Sequence, residues 1–150
     1  MSGPEGAGPW RGPAGEDRPS VLRLGVVGLG VISRFYLAAI ASSPRFELAA
    51  VCDLDERALA DHGVPAFRSH QAMLDAGGID AVVVTAPNDV HARVAVDAVE
   101  RGLPVCVEKP LATSLRDGLA VAEAARRRDV ALFTAFHRRY NANVLALRDK

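Results

Sequence analysis

Several common functions find no support in what this chain lacks. Lys+Arg and Asp+Glu both total 18, and no local basic patch is large, so nothing draws the chain to nucleic acid or to an anionic membrane. There are only two cysteines, Cys52 and Cys106, far apart and without a CxxC. They read as small strand hydrophobes kept as free thiols in a reducing, cytoplasmic compartment, although spacing alone leaves a bridge between them open. His62 and His70 have no ligand-like spacing, so no metal site is expected. No apolar run approaches the ~18–20 residues that span a membrane. The first 20 residues, rich in Gly and Pro, lack both the basic start and the apolar centre of a secretory signal. They read as a disordered leader in which Trp10 is a stray exposed aromatic.

What remains is ordinary globular material: 150 residues, 49% apolar and 24% charged, about one domain's worth of core. From Val21 the chain alternates. Strands are expected at Val21–Val27, Phe46–Cys52, Val64–Phe67 (where Pro65 calls for an edge or a strand end), Asp80–Thr85, Pro104–Val107 and Val130–Ala135. Between them, periodicity and stop signals predict four helices and one short helical piece. The first helix places Ile32, Phe35, Tyr36, Ala39 and Ile40 inward and stops at Ser42-Ser43-Pro44. A short helix is expected over Asp55–Asp61, another over Ser69–Ala76, and a third over Asp89–Arg101 with His91, Val94, Ala95, Ala98 and Val99 inward. The last runs from Ser114, a capping residue paired with Asp117, to Arg126-Arg127-Arg128, a solvated face. Six alternations predict an α/β fold, a Rossmann-type doubly wound parallel sheet of about six strands. Ligands of such sheets bind beyond the carboxyl ends of the strands, so chemistry is expected at those ends.

The first strand runs into Gly28-Leu29-Gly30 and then a helix, a turn that lets backbone amides approach a pyrophosphate. Ser33 stands where the G-x-G-x-x-G fingerprint has its third glycine, and its hydroxyl is available to a phosphate. The second strand ends on Asp53, twenty residues later. That spacing suits a hydrogen bond to the adenosine ribose hydroxyls; an N-cap or turn residue is the plainer alternative. A carboxylate there repels a 2′-phosphate and no Arg follows at once, which favours NAD over NADP. Strand four ends in Thr85-Ala86-Pro87-Asn88 with His91 a turn later, either a binding loop or a turn beside a packed histidine. Strand five ends in Glu108-Lys109-Pro110. A lysine leaving a buried strand is a candidate proton donor or hydroxyl anchor, or else half of a surface ion pair.

Taken in order, VGLGVIS, Asp53, TAPNDVH, EKPLA and FHRRYN resemble the cofactor domain of the Gfo/Idh/MocA oxidoreductases over residues 22–150, with EKP the most specific element. The resemblance implies binding of NAD(H) or NADP(H) and interconversion of a hydroxyl and a ketone on a small-molecule sugar or cyclitol. It places Gly28, Leu29, Gly30, Val31 and Ile32 at the pyrophosphate and Asp53 at the adenosine ribose. Thr85, Ala86, Pro87, Asn88 and His91 would line the middle of the cofactor, with Glu108 beside the nicotinamide ribose. Lys109 would be the catalytic contact to the reacting oxygen, with His137 and Arg138 near the nicotinamide or substrate.

Family members run to about twice this length, with a second domain supplying the rest of the active site and the oligomer interface. On that pattern residues 21–136 are the Rossmann domain, and 137–150 start the linker helix to a C-terminal substrate domain that the 150 residues do not include. Two other functions stay open: a stand-alone dinucleotide-binding module without turnover, and a methyltransferase using S-adenosylmethionine, which leaves EKP and TAPNDVH without a purpose.

Overall fold

The β-branched run Ala81–Val84 lies beside the first strand, and that neighbour relation sets the topology. In the computed structural model, which describes residues 21–136, the order is β1 (Leu22–Val27), α1 (Ser33–Ser42), β2 (Phe46–Cys52), β3 (Ala66–Phe67), α2 (His70–Ala76) and β4 (Ala81–Val84). A 3-10 turn at Asn88–Val90 leads into α3 (His91–Glu100), followed by β5 (Val105–Glu108), α4 (Leu115–Arg128) and β6 (Leu132–Ala135). All strand pairs are parallel, in the order β3-β2-β1-β4-β5-β6. The chain therefore reverses its winding direction between β1 and β4, which opens a crevice at their carboxyl ends. The leader with Trp10, the linker helix, His137 and Arg138 lie outside the described residues.

Strand alternation divides the core. Val82, Val84, Val105 and Val107 face α2, α3 and α4, whose Met73, Leu74, Val94, Ala98, Val121 and Ala125 complete a dry layer. Leu24, Val26, Val83 and Cys106 face the other way, against Tyr36, Leu37 and Ile40 of α1. On α3 the buried residues are His91, Val94, Ala95, Ala98 and Val99, as its period predicts. Pro65 precedes β3, which is the sheet edge. The opposite end of the α1 face, over β4 to β6, carries no helix among the described residues. It leaves an apolar hollow of about 320 Å³ lined by Leu22, Phe46, Cys106 and Phe133.

Several expectations need correction. The inward stripe of α1 is Ser33, Tyr36, Leu37 and Ile40, the right period shifted by one residue; Ile32, Phe35 and Ala39 face out, Phe35 at 71% exposure. At the helix start Ser33 takes the inward position, buried and with its hydroxyl bonded to Gly30 O. Asp55–Asp61 is a series of turns, not a helix. Asp53 and Asp55 each bind the amide two residues on, at 2.8 and 2.9 Å, a local pairing that competes with helical hydrogen bonds. The end of α4 is exposed as expected, and Arg127 and Arg128 there also pair with Glu100 of α3. Ser114 does cap α4, accepting the Asp117 amide at 3.1 Å. Cys52 and Cys106 are free.

No described helix is long and apolar enough to cross a membrane. The described residues hold no cluster of His, Cys, Asp or Glu fit for a metal ion.

Candidate functional site

The turn after β1 is built by two glycines with different tasks. Gly28 has φ +91°, and a Cβ there would lie 2.4 Å from the Ala86 backbone, so only glycine lets the ends of β1 and β4 close on each other. Its amide donates to Cys52 O at 2.8 Å and its carbonyl accepts the Thr85 hydroxyl at 2.6 Å. Gly30 is the reverse case: a Cβ there would meet nothing within 4 Å. Its outer side is open, and α1 begins just beyond with no side-chain cap on its first amides. Helix starts of this kind attract anions because unpaired N–H groups and the helix dipole point the same way. Val31 and Ile32, exposed by 71% and 45%, form the rim. Ser33 is not available to a ligand: it is 1% exposed and its hydroxyl donates to Gly30 O at 2.6 Å.

Asp53 stands at the end of β2 beside this turn, and its Oδ2 accepts the Leu29 amide at 2.6 Å. Its Oδ1 caps Asp55. The carboxylate is thus the turn residue of the plainer reading, and it is half-buried at the mouth where a ribose would arrive. The sequence missed a base at this end. Arg68, fifteen residues after Asp53, reaches back to the Leu54 carbonyl at 3.4 Å and pairs with Glu56 at 2.8 Å.

Across the crevice, Ala86, Pro87 and Asn88 are half-buried to exposed at the rim, while Thr85 is buried beneath them. His91 departs from its expected place along the loop. It is 1% exposed, with Nδ1 2.7 Å from Pro110 O and Nε2 2.7 Å from Ala86 O. It is the packed histidine of the alternative reading, and it ties the loop after β4 to the loop after β5 from below.

Glu108 ends β5 on the α1 side of the sheet, since Val105 and Val107 point to the other layer. Its Oε1 accepts the Tyr36 hydroxyl at 2.8 Å and its Oε2 the Lys109 amide at 3.1 Å. Burial, and next the Glu108 hydrogen bond, push the Tyr36 phenol well above its ordinary range, so it remains a donor. Burial pushes the Cys106 thiol beside it up to about 11, with Glu108 adding to the effect. Lys109 projects into solvent at the same edge, and its ammonium makes no ion pair among the described residues. Open amides, a carboxylate, a polar loop and a free ammonium therefore all lie at the carboxyl ends of neighbouring strands. That set can hold an anionic dinucleotide and present an ammonium to an oxygen.

Residues 22–136 match the family model described as an oxidoreductase family with an NAD-binding Rossmann fold. The chain belongs to the Gfo/Idh/MocA family. Among curated members it is 37% identical over 123 residues to D-xylose 1-dehydrogenase (NADP(+)) 2 of Haloferax volcanii, covering 79% of this chain and 37% of that protein. With inositol 2-dehydrogenase of Salmonella typhimurium it shares 30% identity over 136 residues, covering 85% and 40%. The WlbA dehydrogenase of Bordetella pertussis, solved with NADH and UDP-GlcNAcA, superposes at a TM-score of 0.82 and 34% identity, covering 86% of this chain and 41% of its own. The chain thus spans about 40% of the length of its Gfo/Idh/MocA relatives. Tyr36 is the site residue that sequence reasoning missed. Its helical phase marked it only as inward, and its partner lies 72 residues away.

Proposed function

We propose that this chain is the cofactor-holding part of a nicotinamide-dependent oxidoreductase that interconverts a hydroxyl and a ketone on a sugar or cyclitol. The observation that carries the reading is the opening at Gly30, where a Cβ would find empty space beside uncapped α1 amides. The residues present fit a dinucleotide there. The amides from Gly30 to Ile32 would bind the pyrophosphate and Asp53 the adenosine ribose; Ala86, Pro87 and Asn88 would flank the middle, and Glu108 the nicotinamide ribose. When bound, the nicotinamide supplies a hydride acceptor or donor. Lys109 is the catalytic residue of the reading: its ammonium orients the substrate oxygen and gives the proton when a ketone is reduced, and the neutral amine takes it back when a hydroxyl is oxidised. NAD is the preferred form, because Asp53 disfavours a 2′-phosphate and Arg68 is already paired with Glu56. The NADP-dependent xylose relative makes NADP the competitor. The substrate is a small sugar or cyclitol, on the strength of what the relatives act on. Neither nucleic acid nor membrane is a partner in this reading, and any oligomer needs a further domain or a partner chain. The cytoplasm is the fitting compartment.

Calorimetric titration with NADH, NADPH and S-adenosylmethionine tests the reading. Binding of NADH more tightly than NADPH, with none of S-adenosylmethionine, is expected. A folded chain that binds neither nicotinamide cofactor sinks it. Hydride transfer to a panel of sugars and cyclitols, with and without the downstream reading frame, then separates an enzyme from a module without turnover.

A further inference from the structure

Glu108 and Lys109 start on opposite faces at the end of β5, where two long side chains can still curl round to meet, yet they form no ion pair. The Glu108 carboxylate is spent elsewhere, Oε1 on the Tyr36 hydroxyl at 2.8 Å and Oε2 on the Lys109 backbone amide at 3.1 Å. We propose that Tyr36 is a positioning residue: its hydroxyl anchors Glu108 at the carboxyl edge and holds that carboxylate off the Lys109 ammonium, leaving the ammonium free for a substrate oxygen.

The geometry favours a fixed anchor. Tyr36 is on the inward stripe of α1, the helix that also carries the open amides after Gly30, so one rigid element holds both ends of the crevice. The bond is part-buried, and burial with Glu108 keeps the phenol protonated and donating. The charged and titratable neighbours are Cys106, held as a thiol, and Lys109 itself. The flanking strands present Val84 opposite Val107 and Ala135 opposite Glu108, neither of which can replace the hydroxyl. Hydrogen bonds to a carboxylate are among the stronger ones, so a flexible glutamate held this way keeps one orientation. The anchor rests on the proposed function only for its consequence in catalysis; the contact itself does not require a cofactor.

The chain has only two lysines, Lys109 and Lys150, which permits a direct test. Competitive amine labelling, read by mass spectrometry as the Lys109 to Lys150 ratio, reports how freely Lys109 reacts. Tyr36→Phe removes one oxygen and keeps the ring, and circular dichroism checks that the fold survives. The released Glu108 should pair with Lys109 and lower the ratio about threefold, the size of an exposed ion pair. Tyr36→Phe combined with Glu108→Gln should restore it, because the effect acts through the carboxylate. NADH affinity should fall severalfold in Tyr36→Phe and no further in the double variant than in Glu108→Gln alone. A Tyr36→Phe ratio equal to wild type, or a drop that persists in the double variant, overturns the proposal. Labelling needs no cofactor, so a wild-type chain that ignores NADH would refute the proposed function while the ratio still judges Tyr36.

Discussion

Asp53 Oδ2 accepts the backbone amide of Leu29 at 2.6 Å, so the end of β2 builds the very turn it was expected to serve. Charge and hydrogen-bonding geometry can therefore be separated at this position. Asp53→Asn keeps an acceptor for Leu29 and should fold nearly as well as wild type, while Asp53→Ala loses the acceptor too. If the carboxylate also meets the ribose, Asp53→Ala weakens NADH by about 1–3 kcal/mol and Asp53→Asn narrows the NADH over NADPH preference. Calorimetry with both cofactors measures this, and unchanged affinities would leave Asp53 only its turn.

The two glycines should respond oppositely to alanine. At Gly28, positive φ and a 2.4 Å approach to Ala86 act together. Gly28→Ala should cost about 2–5 kcal/mol, seen in the denaturation midpoint. Gly30→Ala fills open space and should leave stability within about 1 kcal/mol, yet lower NADH affinity tenfold or more if the pyrophosphate lies against that backbone. Equal affinity for NADH in Gly30→Ala and wild type would place the cofactor elsewhere.

His91 sets a ring nitrogen 2.7 Å from each of two carbonyl oxygens, Ala86 O and Pro110 O, inside the core. His91→Leu removes the ring's donor and should cost about 1–3 kcal/mol in urea unfolding. Because His91 is buried, NADH binding below the transition should change little beyond what the displaced loops account for. A large affinity loss at full stability would instead give His91 a direct contact.

Lys109 is exposed and free of ion pairs among the described residues, so Lys109→Ala should fold normally and bind NADH within a fewfold of wild type. Turnover, assayed together with the downstream reading frame, should drop about 10²–10⁴-fold, the usual loss for a general acid–base group. Undiminished turnover would remove the lysine from the mechanism.

Arg23 holds Asp80 below the ordinary carboxylate range, chiefly through its side-chain hydrogen bonds, and so joins β1 to the start of β4. The unfolded chain therefore binds this proton more tightly than the folded one. The pair's stabilisation is complete above about pH 4, the ordinary carboxylate pKa, and is lost as pH falls through the lower folded value. Asp80→Asn should flatten the acid limb of stability against pH while changing the loss at alkaline pH little. An acid limb identical to wild type would show that other carboxylates carry it.

The layer order and the edge position of β3 were legible in the sequence because valine runs, Pro65 and the period of α3 are local signals, set by strand and helix geometry wherever the segment lies. The glycine turn and Asp53 were legible for the same reason: a tight turn needs particular residues at particular spacings. Periodicity failed where a side-chain hydrogen bond within the segment, or a contact outside it, had the larger energy. Periodicity alone put Phe35 inward, but Ser33, buried and bonded to Gly30 O, takes the inward position and the buried stripe lies one residue on. The aspartates after β2 formed side-chain turns instead of a helix. His91 became a core clamp, because its carbonyl partners come from two loops that only the β4–β5 neighbour relation brings together. Tyr36 and Glu108 meet for a similar reason, on one face of a sheet whose strand order no single segment encodes. The sequence by itself determined the alternation of strands and helices and the glycine turn after β1. Tertiary structure alone decided which polar side chains stay free for chemistry and which are spent on one another, since that depends on distances between residues remote in the chain.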